Sequence, residues 1–271
     1  MRWMLANGTR VRAGVTPGKG GTQVDDLPVF HSVQEARSAF PDVTVSAVVV
    51  PSAHVFAAVQ EALETGLSFI YILTEHVPVH DVLKLREMAH ARDAVILGPA
   101  SVGLIRFPAF QLGYLGGEHV FTSGLKEGDT AVLSTSGGMT NEIMMACARA
   151  GIGLRIAIAL GGGMVCGTTL IEALQDCEEH HDIRRMAIFT EPGQPLLDAL
   201  LDHKITLRKP TAIFLAGGAL DDLPKGVPYG HTGTIIGEGQ RSVAEMKAGL
   251  RALHIPCAET MQELISHLSC L

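Results

Sequence analysis

Residues 45–75 read VSAVVVPSAHVFAAVQEALETGLSFIYILTE. The first part, Val45 to Val50, is an almost continuous apolar run that Pro51 stops, and SFIYILTE (68–75) is a second such run. Short runs without polar alternation fit strands buried on both faces, as in a parallel sheet. Between them, AHVFAAVQEALETG carries apolar residues at helical spacing and ends on Gly66, a residue that closes helices well. Strand, helix and strand in this order form a βαβ unit, the building block of a parallel, doubly wound α/β sheet.

The rhythm extends outward in both directions. Upstream, TRVRAGVTPGKGG (9–21) is a short strand running into a Gly/Pro loop, and SVQEARSAFPD (32–42) is helical. Downstream come the helix VHDVLKLREMAHARD (79–93) and the strand AVILGPAS (94–101). Residues 103–124 lose the pattern and read as an extended connection. A second α/β series then begins with DTAVLSTSGG (129–138) and closes on the helix MQELISHL (261–268). We therefore expect two domains, 1–122 and 123–271. Open sheets of this kind bind ligands in the loops beyond the carboxyl ends of their strands, so those loops hold the candidate chemistry.

Composition narrows the function classes. The chain has 271 residues, 47% hydrophobic and 18% charged, with a net charge of -7. That is ample core material, and the charge argues against nucleic acid as a partner. No uninterrupted apolar run of about 18 residues occurs, so no membrane span is expected. Five scattered cysteines without a C-x-x-C pair read as reduced thiols of a cytoplasmic protein.

Several strand-end loops carry residues suited to anions. VLSTSGGMTNEIM (132–144) is a strand, a Ser/Gly turn and a helix. Ser134, Thr135, Ser136 and Gly137 there form either an anion site at a helix start or an ordinary turn with capping serines. ALGGGMVCGTT (159–169) is a second glycine-rich turn, with Gly161 and Gly162 either at a shared phosphate site or simply allowing tight packing. FTEPG (189–193) places Glu191 just past a strand, as a histidine partner or as a solvated acid. GHTG places His231 between glycines, where an imidazole is a competent nucleophile or an incidental loop residue. Lys19 lies among glycines in VTPGKGGT, which lacks the order of a Walker loop. CEEHHD (177–182) has its candidate metal ligands adjacent rather than one helical turn apart, and reads as a solvated helix end.

Taken in order, GVTPGKGGT, LPVF, ILTEHVP, GPASVG, STSGGMTNE, the glycine turn, Glu191 and GHTG resemble the α subunit of succinyl-CoA synthetase. GPASVGLIRFPAFQLGYLGG and STSGGMTNE look closer to ATP-citrate lyase and citryl-CoA synthetase. The resemblance implies a Rossmann-like CoA-binding domain followed by a flavodoxin-like ligase domain. It implies an NDP-forming acid–CoA ligase that makes an acyl-CoA from a di- or tricarboxylic acid. In such a chain His231 is phosphorylated and Glu191 contacts it. The Ser134–Gly137 turn holds the phosphate, while Lys19, Leu73, Thr74 and Glu75 line the coenzyme A site. ATP or GTP with Mg2+ would be bound by a separate ATP-grasp β subunit in an αβ or α2β2 hetero-oligomer.

Three departures bear on this. Asn141 stands where succinate-specific relatives carry tyrosine, GGGMVCG replaces GGDP, and TEPGQ replaces GEIGG. The family's first strand and its G-x-T-G-x-x-G loop have no counterpart after Met1, which leads us to expect in-frame coding sequence for them upstream. Their absence would leave unpaired strand edges in a buried layer. The competing reading is a non-catalytic CoA-binding or regulatory relative.

Overall fold

The structure is a computed structural model that describes residues 1–163, 165–218, 221 and 241–271. The βαβ unit of the sequence is present: β4 (Val45–Val48), α3 (Ser52–Glu64) and β5 (Phe69–Ile72), followed by α4 (Val79–His90) and β6 (Val95–Leu97). Helix α3 buries Val55, Val59, Ala62 and Leu63 against the sheet, spacings that put all four on one face. Gly66 follows its end at φ +79, donating its N–H to Leu63 O at 3.1 Å. Ile70, Tyr71 and Ile72 are buried on both sides of β5, as the unbroken apolar run requires.

The amino-terminal half holds two separate three-stranded sheets. One has the order β4-β5-β6, all parallel. The other is built from β1 (Gly14–Val15), β2 (Gln23–Val24) and β3 (Leu27–Phe30), in the order β1-β3-β2. Helix α2 (Val33–Ala39) joins the two, with Val33 N–H donating to Glu61 Oε1 on α3 at 2.7 Å. Among the described residues no strand pairing connects β1 to β4, so β4 ends its sheet. Val49, just past β4, is 62% exposed.

Among the described residues the carboxyl-terminal half forms one seven-stranded sheet, β13-β12-β11-β9-β10-β7-β8. Its parallel strands are β9 (Glu127–Ser134), β10 (Leu154–Ala159), β11 (Arg185–Thr190), β12 (Thr211–Leu215) and β13 (Cys257–Ala258). In chain order they lie second, first, third, fourth, fifth, the flavodoxin-like winding whose switch point falls between β9 and β11. Helices α5 (Gly137–Ala150) and α9 (Met261–Cys270) cover one face, where Ile143, Met144, Cys147, Leu264 and Leu268 are buried. Helices α6 (Leu170–Glu179), α7 (Pro195–Leu201) and α8 (Val243–Ala252) cover the other. Each fully buried Leu or Ile of these layers contributes about 1.5–3 kcal/mol of transfer free energy.

The segment read as an extended connection is a hairpin. β7 (Gly103–Arg106) and β8 (Phe110–Gly113) pair antiparallel, and β7 pairs antiparallel with β10. The second sheet thus begins at Gly103, ahead of residue 123. Gln111, in mid-strand, looks unsuited to a core, yet it is fully buried because its amide is satisfied. It donates to Leu115 O and Gly117 O at 2.8 Å and accepts from Asn7 Nδ2 at 2.9 Å. Asn7 follows α1 (Arg2–Ala6), which packs on β8.

CEEHHD is less solvated than expected. Glu178 is buried and accepts from the N–H groups of Arg208 and Lys209 at 3.0 and 3.2 Å, tying the end of α6 to the entry of β12. Among the described residues no group of three His, Cys, Asp or Glu is placed to hold a metal, and no helix is long and apolar enough to cross a membrane.

All five cysteines are free thiols. Burial pushes the Cys147 and Cys177 thiols up to about 12, so both stay protonated at pH 8. Alkylation of the native chain at that pH should mark exposed Cys270 first and spare Cys147 and Cys177 until the chain is unfolded. Peptide mass spectrometry reads this directly, and early labelling of Cys147 would contradict the packing of α5 on the sheet.

Candidate functional site

The switch point gathers the strand-end turns. Ser134 is in register with Ala159 of β10 and Phe189 of β11, so the ends of three strands lie side by side. Ser134 Oγ donates to Ser136 O and accepts from Ser136 N, both at 2.9 Å, which closes a tight turn. Ser136 is the N-cap of α5, accepting from Met139 N at 3.4 Å, and Thr140 Oγ1 donates to Ser136 O at 2.7 Å. Thr135 is buried within the turn. Gly137 touches Val102, where a Cβ would lie 2.7 Å from the valine side chain, whereas Gly138 faces open space.

The amino end of α5 differs from those of its neighbours. Helices α2, α6, α8 and α9 each have a Ser or Thr N-cap and a glutamate three residues on: Glu35, Glu172, Glu245 and Glu263. These acids offset the positive end of the helix dipole. Among the described helices α5 alone combines a side-chain N-cap with no acid in its first turn. With Met139 N taken by the Ser136 cap and Thr140 N by Ser136 O, the N–H groups of Gly137 and Gly138 are the ones left at this helix start without a partner inside the helix. Asn141 stands one turn further along, half-buried.

The second glycine turn follows β10. Leu160 N donates to Ser134 O at 2.8 Å, carrying the chain past the first turn. Gly161 then adopts φ +115, and a Cβ there would stand 2.2 Å from Pro99 O. Glycine is required by this contact as well as by the backbone angle. Gly162 follows, half-buried. Burial also raises the pKa of Cys166, later in the turn.

Glu191 comes directly after buried Thr190, the last residue of β11. It is half-buried, and its carbonyl accepts from Gln194 N at 3.4 Å. On the other side Ala216 N donates to Thr190 O at 3.2 Å, so the chain leaving β12 runs beside Glu191. His231 lies outside the described residues, but both flanks of its segment are fixed. Asp221 caps α8 by accepting from Val243 N and Ala244 N at 2.8 and 2.9 Å. Arg241 pairs with Asp198 and Asp202 at 2.6 and 2.5 Å.

The residues assigned to coenzyme A lie on the other half. Leu73 and Thr74 follow β5; Leu73 N donates to Val48 O at 3.2 Å and Thr74 Oγ1 to Val50 O at 2.6 Å. Glu75 is exposed. This segment reaches the carboxyl-terminal half through residues 98–101. Ala100 N donates to Thr74 O at 3.0 Å, and Ser101 Oγ to Ala159 O at 2.5 Å. Lys19 is exposed in a separate turn after β1, which its carbonyl closes by accepting from Thr22 Oγ1 at 2.7 Å. A Cβ on Gly18 or Gly21 of this turn would meet nothing within 4 Å.

The structure thus brings together Ser134–Gly137, Gly161, Gly162 and Glu191, and leaves Lys19 apart. Sequence reasoning missed Ser101, Arg86 and Glu172, which fasten the second turn. Only Glu172 had a signal, the Thr-x-x-Glu capping box of residues 169–172.

A family profile described as a CoA binding domain matches residues 1–76. The chain is 32% identical over 266 residues to a succinate–CoA ligase [ADP-forming] subunit alpha of Staphylococcus aureus, covering 98% of this chain and 85% of that protein. The corresponding subunit of Staphylococcus epidermidis is 31% identical over 262 residues, covering 96% and 84%. Among solved structures, an ATP citrate lyase from Methanosaeta concilii in complex with (3S)-citryl-CoA superposes with TM-score 0.84 at 21% identity, over 99% of this chain and 47% of that one. A dinucleotide-forming acetyl-coenzyme A synthetase of Ca. Korarchaeum cryptofilum gives 0.73 at 20% identity, over 97% and 55%. The chain spans about half of those two chains, and at such identity they establish the fold alone.

Proposed function

The chain belongs to the family of succinate–CoA ligase α subunits, acid–CoA ligases that form a nucleoside diphosphate, and from that premise we propose the course of its reaction. A phosphoryl group passes from a nucleotide on an ATP-grasp partner to the His231 imidazole, releasing the diphosphate. An acid carboxylate then takes it from His231 to give an acyl phosphate. Coenzyme A supplies the thiol that displaces inorganic phosphate and leaves the thioester.

The observation that carries this reading is the acid-free amino end of α5 at the switch point, beside Glu191. A phosphorylated imidazole adds a dianion, and a helix start offers fixed N–H donors for it without flexible cations. Glu191, at the end of β11, is suited to hold the histidine in one tautomer and raise its basicity. Gly137 and Gly138 add no side chain that would keep an oxyanion from the backbone. Gly161 and Gly162 extend the same surface toward the coenzyme A half. There the open turn around Lys19 leaves room for a coenzyme A phosphate, and Leu73 and Thr74 would line the pantetheine arm. Asn141, in place of an aromatic side chain, leaves room and hydrogen-bonding capacity for a larger hydroxylated or tricarboxylic acid.

Reconstitution tests the reading. The chain mixed with an ATP-grasp β subunit, nucleotide, Mg2+, coenzyme A and a panel of di- and tricarboxylic acids should form thioester together with nucleoside diphosphate. The chain without its partner should form none. Coenzyme A binding without phosphorylation by an active partner would instead support a regulatory relative, and turnover by the isolated chain would refute the two-subunit scheme.

A further inference from the structure

The second glycine turn is held from outside its own half. Arg86 projects from α4 of the amino-terminal half, with its side chain about three-quarters buried at 25% exposure. Its Nη1 donates to Cys166 O at 3.2 Å, and its Nη2 to Glu172 Oε1 at 2.5 Å. The other carboxylate oxygen of Glu172 accepts from Thr169 N and Thr169 Oγ1, both at 2.7 Å. One carboxylate therefore caps α6 and receives the arginine, each through its own oxygen.

The neighbouring bonds point the same way. Gly167 N donates to Gly98 O at 2.8 Å, and Thr168 Oγ1 donates to Ile96 O at 2.8 Å. A Cβ on Gly167 would stand 2.5 Å from the Ile96 side chain, so the contact admits only glycine. Residues 166–169 are each fastened, directly or through Glu172, to α4 or to the β6 strand and the residues after it. Gly161, at the start of the turn, rests on Pro99 O. Both ends of the turn are moulded on the unit that also carries Thr74.

We propose that Arg86 is a positioning residue for the step in which the acyl group passes to coenzyme A. Through Cys166 O and Glu172 it fixes the second glycine turn against the coenzyme A half, so that the acyl phosphate at the switch point and the incoming thiol meet in one geometry. This inference rests on the ligase reading above. It assigns to Arg86 a part in the thiol step and none in phosphorylation of His231, because Arg86 holds the far end of the turn, at Cys166 and Glu172, while Gly161 at its near end rests on Pro99 O.

The test is a split of half-reactions in the reconstituted αβ pair. Arg86→Ala should leave the rate of acid-labile phosphorylation by the partner within about twofold. It should lower coenzyme A-dependent turnover by about 10- to 100-fold, the order expected for misplacement of reacting groups. Arg86→Lys, which keeps the charge but loses the two-pronged donation, should recover part of that loss. Glu172→Gln serves as a second variant should Arg86→Ala fold poorly, and should show the same split. Equal losses in both half-reactions, or no loss in either, would overturn the proposal. A wild-type pair that is phosphorylated but forms no thioester would refute the ligase reading itself, a result distinguishable because it precedes any substitution.

Discussion

Replacing His231 by asparagine is expected to abolish acid-labile phosphorylation of the chain and to cut thioester formation by about 10^4-fold or more, the order of loss when a covalent carrier is removed. Asparagine is near histidine in size and stays polar, but its amide is no nucleophile, so the loss reports chemistry rather than shape. Folding should be untouched. The flanks of the segment are anchored at Asp221 on α8 and at Arg241 on α7, and neither bond involves residue 231. The assay is incubation with labelled nucleotide and the ATP-grasp partner, followed by acid and base treatment. Label on the wild type that acid removes and base retains identifies phosphohistidine. Undiminished label on the variant would move the carrier elsewhere and sink the assignment.

The places of the strand-end turns could be read before any coordinates. The strand runs were read from residue types, whereas the capping pattern emerged with the structure: Ser32, Thr169, Ser242 and Thr260 each precede a glutamate by three positions, and each caps a helix. The exception, Ser136 followed by Gly137, Gly138 and Met139, marks the open helix start at the switch point. That exception is visible in the letters once the other four are set beside it. The hairpin of 103–113 was not legible, because its strands are four residues long and one of them carries a glutamine. Gln111 is acceptable there only because Asn7, Leu115 and Gly117, distant or turn residues, satisfy its amide. Nor does any periodicity link Arg86 to Cys166 and Glu172. Their contact depends on how two separately wound sheets meet, which local pattern does not encode.

The glycines of the second turn separate two reasons for a glycine run, and substituting them one at a time should show unequal costs. Gly161→Ala puts a Cβ into a backbone at φ +115 and 2.2 Å from Pro99 O, a carbonyl that cannot swing aside as a side-chain tip would. Strain and overlap together should cost about 3 kcal/mol or more. For a chain of this size that lowers Tm by about 6–10 °C. If the fold survives by shifting the turn, coenzyme A-dependent turnover should fall about 100-fold, because the turn no longer rests on the half that binds the thiol. Gly163→Ala is different in kind. Gly163 lies outside the left-handed region, and its nearest neighbour to a new Cβ is Val165 O at 3.3 Å, so the cost should stay within about 1 kcal/mol. Thermal unfolding and steady-state kinetics on the two variants decide the matter. The expected order, Gly161 severe and Gly163 mild, means that the run exists to bring the two halves of the chain into contact. The reverse order, with Gly163→Ala stable but inactive and Gly161→Ala unaffected, would mean that the run admits a ligand to the backbone and that the contact with Pro99 is incidental.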